Sequence, residues 1–276
     1  MAHGFSGTRE LRLDAYAERF CAAGLGVLVF DYRSFGASTG EPRQVIDIAA
    51  QHDDYRAAVA FARGLDWADR TRIALFGTSF SGGHVLAVAA GDADVAAVVS
   101  QCPFTDGPAS LRSLGPPAAL RMTLAGLRDQ VRALRGQSPY YIPAIGPPGS
   151  RAVMDTPDSE PGMRALMPEE TLWRNQIAAR IALRVGVYRP GRDAKRISCP
   201  VLFCVCDHDS LAPAAATVRH AERAPHARVK RYPIGHFDIY VGEWFERAVT
   251  DQTEFLVEHL LEAKVTAPRA GARPVA

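Results

Sequence analysis

Arg72-Ile73-Ala74-Leu75-Phe76-Gly77-Thr78-Ser79-Phe80-Ser81-Gly82-Gly83 is the stretch on which the fold turns. Arg72 to Gly77 reads as a short buried strand, and Ser81 to Ala90 as a helix of small residues. Between them there is room only for a tight strand-to-helix turn, the place where a G-x-S-x-G motif holds out a nucleophilic serine. Small residues two positions either side of Ser79 let the chain bend that sharply. Gly77 meets the need; Ser81 departs from the pattern, being small but not glycine. A Gly/Ser loop in any α/β protein would look alike, so the motif takes its meaning from its surroundings.

Those surroundings repeat the alternation. Upstream, Val27-Leu28-Val29-Phe30-Asp31-Tyr32 is a continuous apolar run that predicts a buried parallel strand, preceded by an amphipathic helix opening near Thr8 and ending at Gly24. A turn-rich stretch, Arg33 to Arg43, leads to a helix from about Val45 to Arg63. Downstream come strands at Val95 to Ser100, Pro200 to Cys206 and Arg228 to Tyr232. Helices follow near Ala214 to Arg223 and Glu243 to Glu262. Strands alternating with helices predict a mostly parallel sheet with helices on both faces.

From Thr105 to about Ser198 that rhythm breaks. Helical patterns occupy Leu120 to Leu134 and Leu172 to Val185, separated by a Pro/Gly/Tyr-rich region from Ser138 to Ser150. The reading is therefore a core made of residues 1–104 and 199–263, a mainly helical cap inserted at 105–198, and a disordered tail at 264–276.

Composition narrows the function classes. The chain has 276 residues, 47% of them hydrophobic, and a formal net charge of +2. That is ample for a core and gives no basic excess for nucleic acid or an anionic membrane. No apolar run reaches the ~18 residues of a membrane span. The five cysteines are odd in number and mostly lie in apolar runs, which predicts reduced buried thiols and a cytoplasmic location. Cys204-Val205-Cys206 lacks the second cluster of a zinc site and reads as strand packing.

A serine hydroxyl needs a base within hydrogen-bond reach and a third group to orient that base. Among eight histidines, His236 in Gly235-His236-Phe237-Asp238 stands between the last strand and the last helix. The acid is expected in the loop after the preceding strand, Asp207-His208-Asp209-Ser210-Leu211-Ala212-Pro213. Asp209 is preferred for its spacing to Pro213, with Asp207 the alternative. An acyl intermediate also needs backbone donors for its oxyanion. Phe80, which follows the nucleophile, and Phe5, beside Gly4, are the candidates, whereas His3 reads as structural.

Five stretches now stand in order: His3-Gly4-Phe5, Asp31 to Ser38, Gly77 to Ser81, Asp209 to Pro213 and Gly235-His236. Together they resemble the α/β-hydrolase superfamily over nearly the whole chain. Gly4-Phe5-Ser6-Gly7 and Gly77 to His84 resemble more closely the branch of fungal polyketide transferases and, somewhat, that of Xaa-Pro dipeptidyl-peptidases. The resemblance implies a Ser79–Asp209–His236 triad, no metal or organic cofactor, and a structural role for Asp31 to Ser38. In that family several strands precede the His-Gly motif. Here Met1 stands two residues before His3, so the reading predicts that Met1 is an internal methionine of a longer protein.

The expected function is a serine hydrolase acting on an ester or thioester through an acyl-enzyme on Ser79. An acyltransferase passing a polyketide-like acyl group to an alcohol or amine is the alternative, and a non-catalytic relic of the fold the second. Met122, Tyr140, Tyr141 and Trp173 in the cap are expected to line an apolar pocket for a small-molecule acyl substrate, possibly carrier-bound. Arg174, Arg180 and Arg184 read as solvated or paired side chains. Oligomeric state is left open.

Overall fold

The computed structural model describes residues 1–112 and 115–262; the expected tail at 264–276 lies outside them. The helices are α1 (Leu13–Ala22), α2 (Ile48–Arg63), α3 (Phe80–Ala89), α4 (Gly107–Arg112), α5 (Pro116–Leu134), α6 (Ser159–Leu166), α7 (Ala182–Val185), α8 (Ala214–Ala221) and α9 (Gly242–Leu260). The strands are β1 (Ile73–Thr78), β2 (Val95–Gln101), β3 (Tyr141–Ile142), β4 (Ile177–Ala178), β5 (Val201–Cys206) and β6 (Ala227–Tyr232). The main sheet is parallel with order β1-β2-β5-β6. A parallel sheet packed by helices is the architecture the sequence predicts. β5 is buried at every residue, which is why its sequence is unbroken apolar rather than alternating. Two apolar clusters fill the two faces, one under α2 and α3 and the other under α1 and α9.

Three expectations are corrected. The first helix begins at Leu13, not near Thr8. Arg12 sits left-handed at φ 72°, and the Arg9 N–H donates at 2.7 Å to the Asp31 carboxylate instead of entering a helical turn. Its end is as expected: Gly24 has φ 91°, and the Leu25 N–H reaches back to the Phe20 carbonyl at 3.1 Å.

Val27 to Tyr32 runs beside β1 but forms no ladder. The Phe30 N–H donates to the Met1 carbonyl at 3.1 Å, and the Met1 ammonium donates to the Leu28 carbonyl at 2.7 Å. Ala2 in turn bridges Gly77 in parallel register. Residues of Leu25–Phe30 and Ile73–Phe76 line one cavity of about 580 Å³. Parallel pairing needs neighbours about 4.8 Å apart; among the described residues, Met1 bonds Leu28 and Phe30 and Ala2 bridges Gly77.

The helix expected over 172–185 is replaced by β4, a 3-10 turn at Ala179–Ile181 and the short α7. Its backbone donors are spent elsewhere. The Leu172 and Trp173 N–H groups donate to the Glu10 carboxylate, and the Arg180 N–H to Asp129 at 2.9 Å. Between β2 and β5 lie α4 to α7 and the antiparallel pair β3–β4.

Candidate active site

Ser79 follows β1 and is the N-cap residue of α3, with φ 57° and ψ −120°. A non-glycine residue holds that conformation at a cost of about 1–3 kcal/mol, and only when its surroundings impose it. Here they do. The Ser79 N–H donates to the Gln101 carbonyl at 2.8 Å, and the Ser79 carbonyl accepts from the Phe104 N–H at 2.9 Å. A Cβ on Gly77 would stand 2.2 Å from the Ser81 carbonyl oxygen, and one on Gly4 would stand 2.6 Å from the Ser79 Cβ. Both glycines are required by contact, not by turn propensity.

Ser81, the departure from the motif, has a physical reason. Its buried hydroxyl lies 2.6 Å from the Tyr32 hydroxyl and 2.7 Å from that of Tyr55, which donates to the Phe76 carbonyl at 2.8 Å. Glycine there would leave the Tyr32 phenol without this partner, and buried polar groups are costly when unpaired. No signal in the sequence joins Tyr32, Tyr55 and Ser81.

The Ser79 hydroxyl is 3.0 Å from His236 Nε2, and His236 Nδ1 is 2.6 Å from Asp209 Oδ2. Asp209 Oδ1 accepts from the Leu211 and Ala212 N–H groups at 2.9 and 2.7 Å. Asp207, the alternative acid, is turned away onto Arg231 at 2.8 Å. Burial by itself would lower the basicity of His236. The Asp209 carboxylate, with smaller contributions from Cys102 and Asp158, outweighs burial and leaves the imidazole above its ordinary pKa.

His3 is structural in its contacts. Its Nδ1 accepts from the Gly4 N–H at 2.8 Å and its Nε2 faces the Leu11 carbonyl at 2.9 Å. Burial pulls its pKa down to about 4, so it stays neutral and holds Gly4 against Ser79. The neighbouring Phe5 ring packs edge-on against Phe80 at 5.5 Å. The Phe80 N–H opens α3 and so has no partner within the helix.

A cavity of about 160 Å³ opens onto Ser79 and His236. Phe5, Phe80, Leu111, Met122, Met154 and Leu211 give it an apolar wall. Of the expected pocket residues, Met122 is there and the other three are not. Tyr140 lines a neighbouring cavity, the Tyr141 hydroxyl donates to the Arg43 carbonyl at 2.9 Å, and Trp173 packs against the cluster beneath α1 and α9. Tyr140 and Tyr141 belong to the β3–β4 pairing, where the Ala179 N–H donates to the Tyr140 carbonyl at 2.9 Å. Leu111, Met154 and Leu211 come from separate loops and helices and share no sequence signal. Arg180 is held by Asp129 at 2.7 Å.

Of the five cysteines all are free; four are buried and Cys21 is exposed, contrary to the expectation of buried thiols. Among the described residues, no helix is long and apolar enough to cross a membrane.

The model of one protein family, the serine aminopeptidase S33 group of hydrolases, matches residues 1–239. Among curated proteins, the quorum-quenching protein AidA of Acinetobacter baumannii is 51% identical over 256 residues, covering 93% of this chain and 84% of that one. The thiohydrolase apmlB of Arthrinium phaeospermum is 28% identical over 276 residues, covering 95% and 89%. Among solved structures, the α/β hydrolase GrgF from Penicillium superposes with a TM-score of 0.76 at 26% identity, covering 94% of this chain and 89% of that one.

Proposed function

The chain belongs to the serine aminopeptidase S33 family of α/β hydrolases, and from that premise we propose that it cleaves an ester or thioester through an acyl-enzyme on Ser79. The carrying observation is the unbroken line Ser79 Oγ–His236 Nε2, His236 Nδ1–Asp209 at 3.0 and 2.6 Å, at the foot of an apolar cavity. In this reading Ser79 Oγ attacks the acyl carbonyl while His236 Nε2 takes the hydroxyl proton. Asp209 holds the ring and stabilises the imidazolium. The Phe80 and Phe5 N–H groups receive the oxyanion. Collapse of the tetrahedral intermediate expels the alcohol or thiol, which leaves with the proton carried by His236. Water, deprotonated by the same imidazole, then releases the acid and restores Ser79.

Residues 105–198 act in this proposal as a lid, since Leu111, Met122 and Met154 from that segment close the apolar side of the cavity. The lining suits the hydrocarbon part of a small acyl substrate. Four buried free thiols fit a reducing, cytoplasmic setting. Transfer to an alcohol or amine is the second reading. The wall around Ser79 is largely apolar, so an acceptor that packs there can compete with water for the same acyl-enzyme.

A fluorophosphonate probe followed by peptide mapping tests the assignment. Adduct on Ser79 alone, absent in Ser79→Ala, is the expected result. A folded protein that stays unlabelled, or is labelled at another serine, overturns it. Adding acceptor alcohols to a turnover assay and measuring ester against acid separates transfer from hydrolysis.

A further inference from the structure

α5 carries a feature that the acyl chemistry does not use. Leu120, Leu124, Leu127, Val131 and Leu134 recur at alternating steps of four and three, and are 61%, 57%, 48%, 44% and 79% exposed. The opposite side of the helix is the packed one: Gly126 lies against Leu183, and a Cβ there would stand 2.9 Å from that side chain. The outward residues form a continuous apolar seam about 21 Å long at 1.5 Å per residue. A contiguous apolar patch of this kind marks an interaction surface.

The seam's edges say what covers it. With Leu124 and Val131 as a positions and Leu120, Leu127 and Leu134 as d positions, the e positions are Arg121, Arg128 and Arg135. Among the described residues these three make no ion pair, and Arg128 lies over the Tyr140 ring at 4.1 Å. The one acid of α5, Asp129, is buried and bound to Arg180. The seam is therefore bordered by a row of three arginines, of which Arg121 and Arg128 share a cavity with Asp155. A second copy fits poorly. Antiparallel pairing would set the arginine row against itself, and parallel pairing would set it against Thr123 and Gln130, which bring no acid. A bilayer also fits poorly. An apolar stripe confined to a and d positions is the narrow seam of helix–helix pairing.

We propose that the outer face of α5 docks a partner protein presenting an acidic amphipathic helix, its apolar ridge on the leucine seam and its carboxylates along Arg121, Arg128 and Arg135. Met122 on the same helix lines the cavity at Ser79, so the docked partner sits about one helix diameter, ~10 Å, from the acyl site.

Two labelled helical peptides of about three heptads test this, both with Leu at a and d, one with Glu and one with Lys at e and g. Like charges at e and g keep each peptide from pairing with itself. Titrated into the intact protein by fluorescence anisotropy, the Glu peptide should bind at least about tenfold tighter than the Lys peptide, an advantage that shrinks at high salt. Arg121→Glu with Arg135→Glu should reverse the preference, while an unchanged thermal melt shows the fold intact. Leu124→Glu should abolish binding of both peptides. Equal affinity for the two peptides overturns the proposal. So does self-association in sedimentation velocity that Leu124→Glu abolishes, which makes the seam a dimer interface. Stronger retention on phosphatidylglycerol vesicles than on the Glu peptide overturns it in favour of a membrane surface.

Discussion

Asp207 and Asp209 stand two residues apart in one loop, and only the second meets His236. The consequence is measurable. Asp209→Asn should lower kcat for an activated ester by about 10⁴-fold, because the amide no longer holds the imidazole in the useful tautomer. Asp207→Asn should change it by less than about twofold, since it loses only a surface ion pair of small worth. Protonated His236 cannot accept the serine proton, and its folded pKa is raised above 6.5. The activity limb of kcat/KM should therefore lie above pH 6.5, with turnover rising as pH rises through it. In Asp209→Asn, the limb should move to lower pH, as burial then acts with less opposition. A wild-type limb below 6.5 would contradict this account of His236. The sequence set both carboxylates in the loop after β5 and the histidine between β6 and α9. It could not orient them, because the choice depends on the Leu211 and Ala212 amides that fix Asp209 and on Arg231 that draws Asp207 away.

Elements β1 and α3 owe their junction to contacts from other parts of the chain. Gly4→Ala would drive a methyl group to 2.6 Å from the Ser79 Cβ. We expect fluorophosphonate labelling to fall by at least about tenfold, with a smaller loss of thermal stability, because the Gly4 loop can yield more readily than the sheet. Ser81→Ala should act in the opposite sense. It removes a buried hydroxyl shared by Tyr32 and Tyr55, lowering stability by about 1–3 kcal/mol in denaturant titration and changing the esterase rate little. Legibility also varied between elements. β2, β5, α2, α8 and α9 follow their periodicity to within a few residues, because packing there agrees with local pattern. Val27 to Tyr32 has strand composition without a ladder, and 172–185 has helical spacing with its amides bound to Glu10 and Asp129. Local preference lost in both places to partners distant in sequence.

Across the whole molecule, the segment between β2 and β5 is tied together by ion pairs on two buried acids, Asp106 with Arg189 and Asp129 with Arg180. Asp129 is fully buried and binds Arg180 through Nε at 2.7 Å and a second nitrogen at 3.1 Å. It also accepts from the Tyr140 N–H at 2.7 Å, so it joins α5, β3 and the turn after β4. Asp129→Ala should cost about 3 kcal/mol or more, because Arg180 and two amides lose their acceptor. The loss should appear as earlier proteolysis within 116–181, and an unchanged cleavage pattern would refute the point. Sequence alone determined that this chain has the α/β-hydrolase fold, and it set Ser79 after β1, two acids after β5 and His236 between β6 and α9. Those features are local: an apolar run, a turn that tolerates only small residues, and residues at strand ends in a set order. Which acid faces the imidazole, why Ser81 replaces glycine, which side chains wall the cavity and which way the leucines of α5 point were decided only in the tertiary structure. Each of these depends at least in part on atoms brought together from distant parts of the chain, and pattern along the chain carries no record of which surfaces will meet.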